Sequence, residues 1–120
     1  MAITGVALEM APHRILEQVG VDLGLSTTEI AAALATNPRT LDRWRSQTTY
    51  PQRESRRRLA ALLALDHHLR ETFRTPEAIR EWVHRPSLFL GGLTPADAVR
   101  VGRFDRVETA LEALDSGVFI

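Results

Sequence analysis

The sequence contains no cysteine and no lysine. Without cysteine there is no disulfide framework, no thiolate zinc site and no thiol nucleophile. Without lysine there is no Schiff-base lysine and no P-loop lysine; all fifteen basic residues are arginine, set against fifteen acidic ones. Long apolar runs are missing too. The longest uncharged stretch, Pro86 to Ala96, falls far short of the roughly 20 residues that a membrane helix needs. The first ten residues have no basic region and carry Glu9, so no secretory signal and no membrane partner are expected, and the chain reads as soluble and cytoplasmic. No alternation of apolar and polar residues is long enough for a strand, and Asn-Gly and Asp-Gly hairpin turns do not occur. At 120 residues the chain is one domain, or two small helical modules sharing a core.

What is present is helix punctuation. Asn37-Pro38, Thr75-Pro76 and Thr94-Pro95 each pair a side-chain oxygen that caps free N–H groups with a proline that has no N–H to leave unpaired. Ser26-Thr27-Thr28-Glu29 has the spacing of a capping box. These signals and the apolar spacing predict an all-α chain of seven helices, over 12–21, 27–35, 38–47, 53–73, 76–84, 95–101 and 103–114. The fourth should bury Leu59, Leu62, Leu63, Leu69 and Phe73, the fifth Ile79, Trp82 and Val83, and the seventh Phe104, Val107, Leu111 and Leu114. A front domain over 1–74, with the long helix 53–73 as connector, and a back domain over 75–120 are expected. The neutral total hides an asymmetry. Residues 39–58 carry seven arginines against Asp42 and Glu54, a net +5, whereas 76–120 carry five arginines against seven acids.

In the front half, Glu29-Ile30-Ala31 to Leu34, a turn at Ala35-Thr36-Asn37, and Arg39-Thr40-Leu41-Asp42-Arg43-Trp44 form two helices around a turn. Leu41 and Trp44 should face the core, leaving Arg39, Thr40 and Arg43 on the solvent side near a helix start, where a reading helix meets base edges and phosphates. The pattern over about Ser26 to Arg58 resembles the Xre-like helix-turn-helix proteins, although their turn often carries Gly. The resemblance implies promoter DNA as a partner, with Arg39, Thr40, Arg43 and Arg53 as contacts. A neutral chain with Asp42 inside the reading helix leaves an all-helical packing unit without DNA as the alternative, and a single module would bind weakly; a dimer or larger assembly is expected for DNA. Arg56, Arg57 and Arg58 turn 100° per position, so they fan out and cannot grip one ligand; they form a solvated face or meet an anionic partner.

In the back half a helix ends near Pro86, an apolar loop exposes Leu88, Phe89 and Leu90, and Gly91-Gly92 turns the chain before Thr94-Pro95 restarts it. The glycine pair is no phosphate cradle, because no strand precedes it and no lysine follows. The spacing W-x-x-x-P-x-x-x-L-G-G-x-T-P-x-D from Trp82 to Asp97, then V-x-x-x-L-x-x-L from Val107 and a closing Gly117-Val118-Phe119, resembles the toxin-binding domain of the Xre/MbcA/ParS antitoxins. Ser87 stands where members often carry Asn. The resemblance implies a type II antitoxin. Its cognate partner would be a RES-domain toxin that degrades NAD⁺, neutralised by obstruction of the toxin's active site. The assembly would be a toxin–antitoxin hetero-oligomer containing an antitoxin homodimer and repressing its own promoter. Expected toxin contacts are Trp82, Phe89, Leu90, Gly91, Gly92, Leu93, Arg100, Val118, Phe119 and Ile120. Trp82 is also a natural core residue, the apolar tail could dock on the chain's own helices, and Arg100, Arg103 and Arg106 could be a solvated face paired with Asp97, Asp105 and Glu108.

No enzyme signature accompanies these features. His67 and His68 are adjacent and diverge on a helix, and neither H-E-x-x-H nor a nucleophile elbow is present, so no catalytic residue, metal or cofactor is expected. The alternatives to an antitoxin are a stand-alone regulator whose back half dimerises and an adaptor that binds no DNA.

Overall fold

The computed structural model describes residues 10–117, and among them there are α-helices and no strand. The helices are α1 (Pro12–Leu23), α2 (Thr27–Ala33), α3 (Pro38–Arg45), α4 (Arg53–Thr72), α5 (Pro76–Val83), α6 (Pro95–Arg100) and α7 (Phe104–Asp115), with a 3-10 turn at Leu88–Leu90. All seven expected helices are there; α1 runs two residues further than its spacing predicts, and α2 and α3 each stop two residues sooner.

The caps act as the sequence chemistry requires. Ser26 Oγ accepts from the Glu29 N–H at 3.1 Å, and Glu29 Oε1 accepts from the Ser26 N–H at 2.9 Å. Asn37 Oδ1 accepts from the Thr40 N–H at 2.9 Å, and Thr75 Oγ1 from the Ala78 N–H at 3.1 Å. Thr94 and Asp97 form a second reciprocal box at 3.0 Å in each direction. Each bond satisfies an N–H that a helix start would otherwise leave free. The turn from α2 to α3 places Ala35 at φ +57°, where the Thr36 N–H closes onto the Ala31 carbonyl at 2.8 Å. Glycine would hold that conformation more cheaply.

One apolar cluster runs through the whole fold, from Ile15 and Leu16 of α1, through Ile30, Leu41 and Trp44, to Leu59, Leu62, Leu65 and Leu69 of α4 and Val107 and Leu111 of α7. The long α4 packs against α1, α5 and α7 and serves as the spine. Its buried side differs from the expected one. Leu65 and Asp66 are buried with Leu59, Leu62 and Leu69, whereas Leu63 and Phe73 are only half-buried. The expected stripe sits too far round the helix, because α1 and α7 flank α4 from two directions. On α7, Ala110 is buried in place of the half-buried Leu114.

Candidate functional site

The apolar loop of the back half is a closed ring around Ser87. The Ser87 N–H donates to the Leu93 carbonyl at 3.0 Å, and the Ser87 carbonyl accepts from Leu90 at 3.0 Å and from Gly92 at 2.8 Å. Closure needs Gly91 at φ +66° and Gly92 at φ +91°. A Cβ at either glycine would meet nothing within 4 Å, so the backbone angle and not crowding calls for glycine. Leu90 is buried and anchors the ring against α7. Its expected exposure is therefore corrected: the 3-10 turn rotates Leu90 inward and leaves Leu88 outward. Leu88 is 73% exposed, Leu93 56% and Phe89 38%. Leucines at that exposure cost free energy in water that a partner surface would return.

The other expected contacts of this half divide. Trp82 is half-buried and leans on Phe73, with ring centroids 5.7 Å apart at 42°. Arg100 pairs with Asp97 and reaches Glu29 Oε2 of α2 at 3.8 Å. Arg103 pairs with Asp105 at 3.0 Å, but Glu108 turns to His68 and not to an arginine. Val118, Phe119 and Ile120 lie outside the described residues.

In the front half, Leu41 and Trp44 enter the core, and Arg39 and Arg43 are exposed on the opposite side of α3, with Thr40 half-buried at its N-terminus. Arg53, the first residue of α4, is exposed as well. Among the described residues no carboxylate pairs with Arg39, Arg43 or Arg53, and Asp42 is drawn to Arg45 at 3.6 Å. The triple arginine fans out only in part. Arg56 donates to the Pro51 carbonyl at 2.7 Å and lies over Tyr50, whereas Arg57 and Arg58 converge on the two oxygens of Glu54 at 3.2 and 3.3 Å, one turn earlier on the same helix, and Arg58 also reaches the Ala33 carbonyl at 3.2 Å. Next to Tyr50 a cavity of about 320 Å³ is lined by Pro12, His13, Trp44, Gln47 and Thr48–Pro51.

Two polar clusters escaped the sequence reading. Asp66 is fully buried between α4 and α1; Gln18 Nε2 donates to its Oδ2 at 2.9 Å, and its Oδ1 has no partner among the described residues. Burial, and then the neighbouring Asp22 carboxylate, push its pKa up to about 7, against the opposing pull of Gln18 and Arg70. Asp22 is held by Arg70 at 2.6 Å. The second cluster joins His68 of α4 to Glu108 and Asp115 of α7. Burial disfavours the charged ring, but the two carboxylates outweigh it and raise the His68 pKa. An acid three positions before Leu69, in line with Leu59 and Leu62, was the available signal for the first; nothing local signals the second. Among the described residues no group of three His, Asp or Glu side chains is arranged to hold a metal ion, and no helix is long and apolar enough to cross a membrane.

Comparison with known proteins places this geometry. Residues 68–117 match the family model of the antitoxin Xre/MbcA/ParS C-terminal toxin-binding domain. The mycobacterial cidal antitoxin MbcA of Mycobacterium tuberculosis, like that of Mycobacterium bovis, is 33% identical over 98 residues, spanning 82% of this chain and 86% of the relative. A crystal structure of the M. tuberculosis MbcT–MbcA toxin–antitoxin complex contains a chain that superposes with a TM-score of 0.71 at 27% identity, covering 94% of this chain and all of that one.

Proposed function

This chain belongs to the Xre/MbcA/ParS antitoxin family, and from that membership we propose that it neutralises a cognate RES-domain toxin that degrades NAD⁺. It acts by binding and obstructing the toxin's active site, and performs no chemistry of its own. The carrying observation is the exposed Leu88, Phe89 and Leu93, held on a hydrogen-bonded ring inside the segment that matches the toxin-binding domain. Gly91 and Gly92 set the ring's shape, Arg100 flanks it as an exposed cation, and Val118, Phe119 and Ile120 extend the contact into the toxin's cleft. Trp82 contributes through its exposed edge. Leu90 supports the ring from below.

The front half serves autoregulation. The hetero-oligomer, built on an antitoxin homodimer in the cytoplasm, binds its promoter with the N-terminal part of α3. Arg39, Thr40 and Arg43 face the groove and Arg53 meets a phosphate. The support is three exposed arginines that no carboxylate among the described residues pairs with, on and near a helix whose opposite side is buried.

The test is co-expression with the enzyme encoded beside this chain, reading growth and cellular NAD⁺. Restoration of both, with co-purification of the two proteins, is expected. Deleting Val118–Ile120 should abolish restoration while leaving helicity intact. If no toxin is encoded nearby, or NAD⁺ is unaffected, the toxin reading fails and the basic surface favours a stand-alone regulator.

A further inference from the structure

We propose that His68 is a proton-operated latch on the last turn of α7. Both of its ring nitrogens face carboxylates: Nδ1 meets Glu108, and Nε2 meets Asp115 Oδ2 at 2.7 Å. A neutral imidazole has one N–H and one lone pair, so it can donate to only one of them. The second nitrogen would then turn its lone pair on a carboxylate. Only the imidazolium satisfies both, which is an argument from geometry alone.

Thr72 strengthens the grip, donating to the other Asp115 oxygen at 2.9 Å. Asp115 is the final residue of α7, and Glu108 lies about two turns before it. The latch thus spans the last eight of the twelve residues of α7. On the other helices packed on α4, the paired charges go elsewhere. Asp22 of α1 goes to Arg70, with the buried Asp66 beside it; on α5, Arg80 goes to Glu77 and Glu81 to Arg85. His68 is 20% exposed, so its proton can exchange with solvent. Asp115, at 43%, is the more exposed of the two acids and the one released when the proton leaves. Among the described residues little else holds that turn, since Leu114 is half-buried and Ser116 and Gly117 are exposed. The latch is formed within this chain and stands whether or not the toxin reading does.

The test uses the full-length protein. An NMR titration of the histidine ring protons from pH 5 to 10 gives the His68 pKa. Amide hydrogen exchange of residues 112–116 over the same range, expressed as protection factors so that base catalysis cancels, gives the state of the turn. His68 is expected to titrate above the 6.5 or so of a free imidazole. Protection should fall as pH rises through that same value, by about tenfold for each unit of elevation. His68→Gln should show low protection at every pH, and Asp115→Asn should lower the His68 pKa. A His68 pKa at or below about 6.5, or wild-type protection that is flat with pH, overturns the latch. Should a variant fail to fold, the wild-type titration decides by itself.

Discussion

Arg58 of α4 lies against Gly102, the corner between α6 and α7, so closely that any side chain there would displace its guanidinium. A Cβ at Gly102 would sit 2.5 Å from Arg58 Nη1, the atom that also donates to the Ala33 carbonyl at the end of α2. One guanidinium therefore joins the front half, the spine and the back half. Gly102→Ala would impose φ +77° on a residue with a side chain and push Arg58 off its carbonyl. The expected cost is about 2 kcal/mol, from the backbone angle and one lost hydrogen bond. Arg58→Ala in that background should add little, since the bond is already gone. Urea unfolding of the two single variants and the double variant checks both statements.

The turn before α3 runs the opposite experiment. Ala35 already holds φ +57° with a methyl group. Ala35→Gly is expected to stabilise the fold by up to about 1 kcal/mol, because relief of the left-handed penalty exceeds the added entropy of the unfolded chain. A lower denaturation midpoint than wild type would refute it.

Stability should decline as pH rises. Asp66 has a folded pKa of about 7, well above the roughly 3.9 of an unfolded aspartate. Its contribution is fully present below about pH 3.9 and lost as pH rises through 7, an effect of order a few kcal/mol for a fully buried group. His68 is raised as well, so its contribution is likewise lost as pH rises through its folded value. Asp97, Asp105, Asp115 and Glu54 are lowered, by the Thr94 backbone N–H, Arg103, His68 and Arg57 respectively, and act in the other direction once pH falls through their folded values. Maximal stability in mildly acidic solution follows. Melting curves from pH 3 to 9 should show it, and Asp66→Asn should flatten the neutral limb.

Within the ring around Ser87, neighbouring leucines should part ways. Leu88→Asp and Leu93→Asp touch exposed positions and should move stability by no more than about 0.5 kcal/mol, while neutralisation by the antitoxin is lost. Leu90→Ala should cost about 2–5 kcal/mol as a cavity in the core. Melting curves beside a co-expression growth assay separate the two outcomes.

On α3, Arg39→Ala and Arg43→Ala should weaken the proposed promoter binding and each reduce its salt slope by about one. Titrations of labelled upstream DNA at several salt concentrations read this directly. Unchanged slopes would remove these arginines from the DNA contact.

Much of this was open to a reader of the chain because its signals are local. Ser26, Asn37, Thr75 and Thr94 each cap the helix that follows them, and a cap bond spans only three residues. The spacing of Leu41 and Trp44 told which side of α3 is buried, and the motif from Trp82 to Asp97 announced the back half. Leu90 was misplaced because exposure within a loop depends on how the ring closes, which a few backbone hydrogen bonds decide.

The sequence by itself determined the all-α class, the helix starts, the family resemblance and the division between a basic front and a mildly acidic back, since each depends on residues near one another in the chain. Only the tertiary structure decided that Asp66 is buried beside Asp22, that His68 grips the end of α7 and that Arg58 packs against Gly102. Those relationships join residues far apart in sequence, and neither periodicity nor composition carries information about which side chains the packed helices bring together.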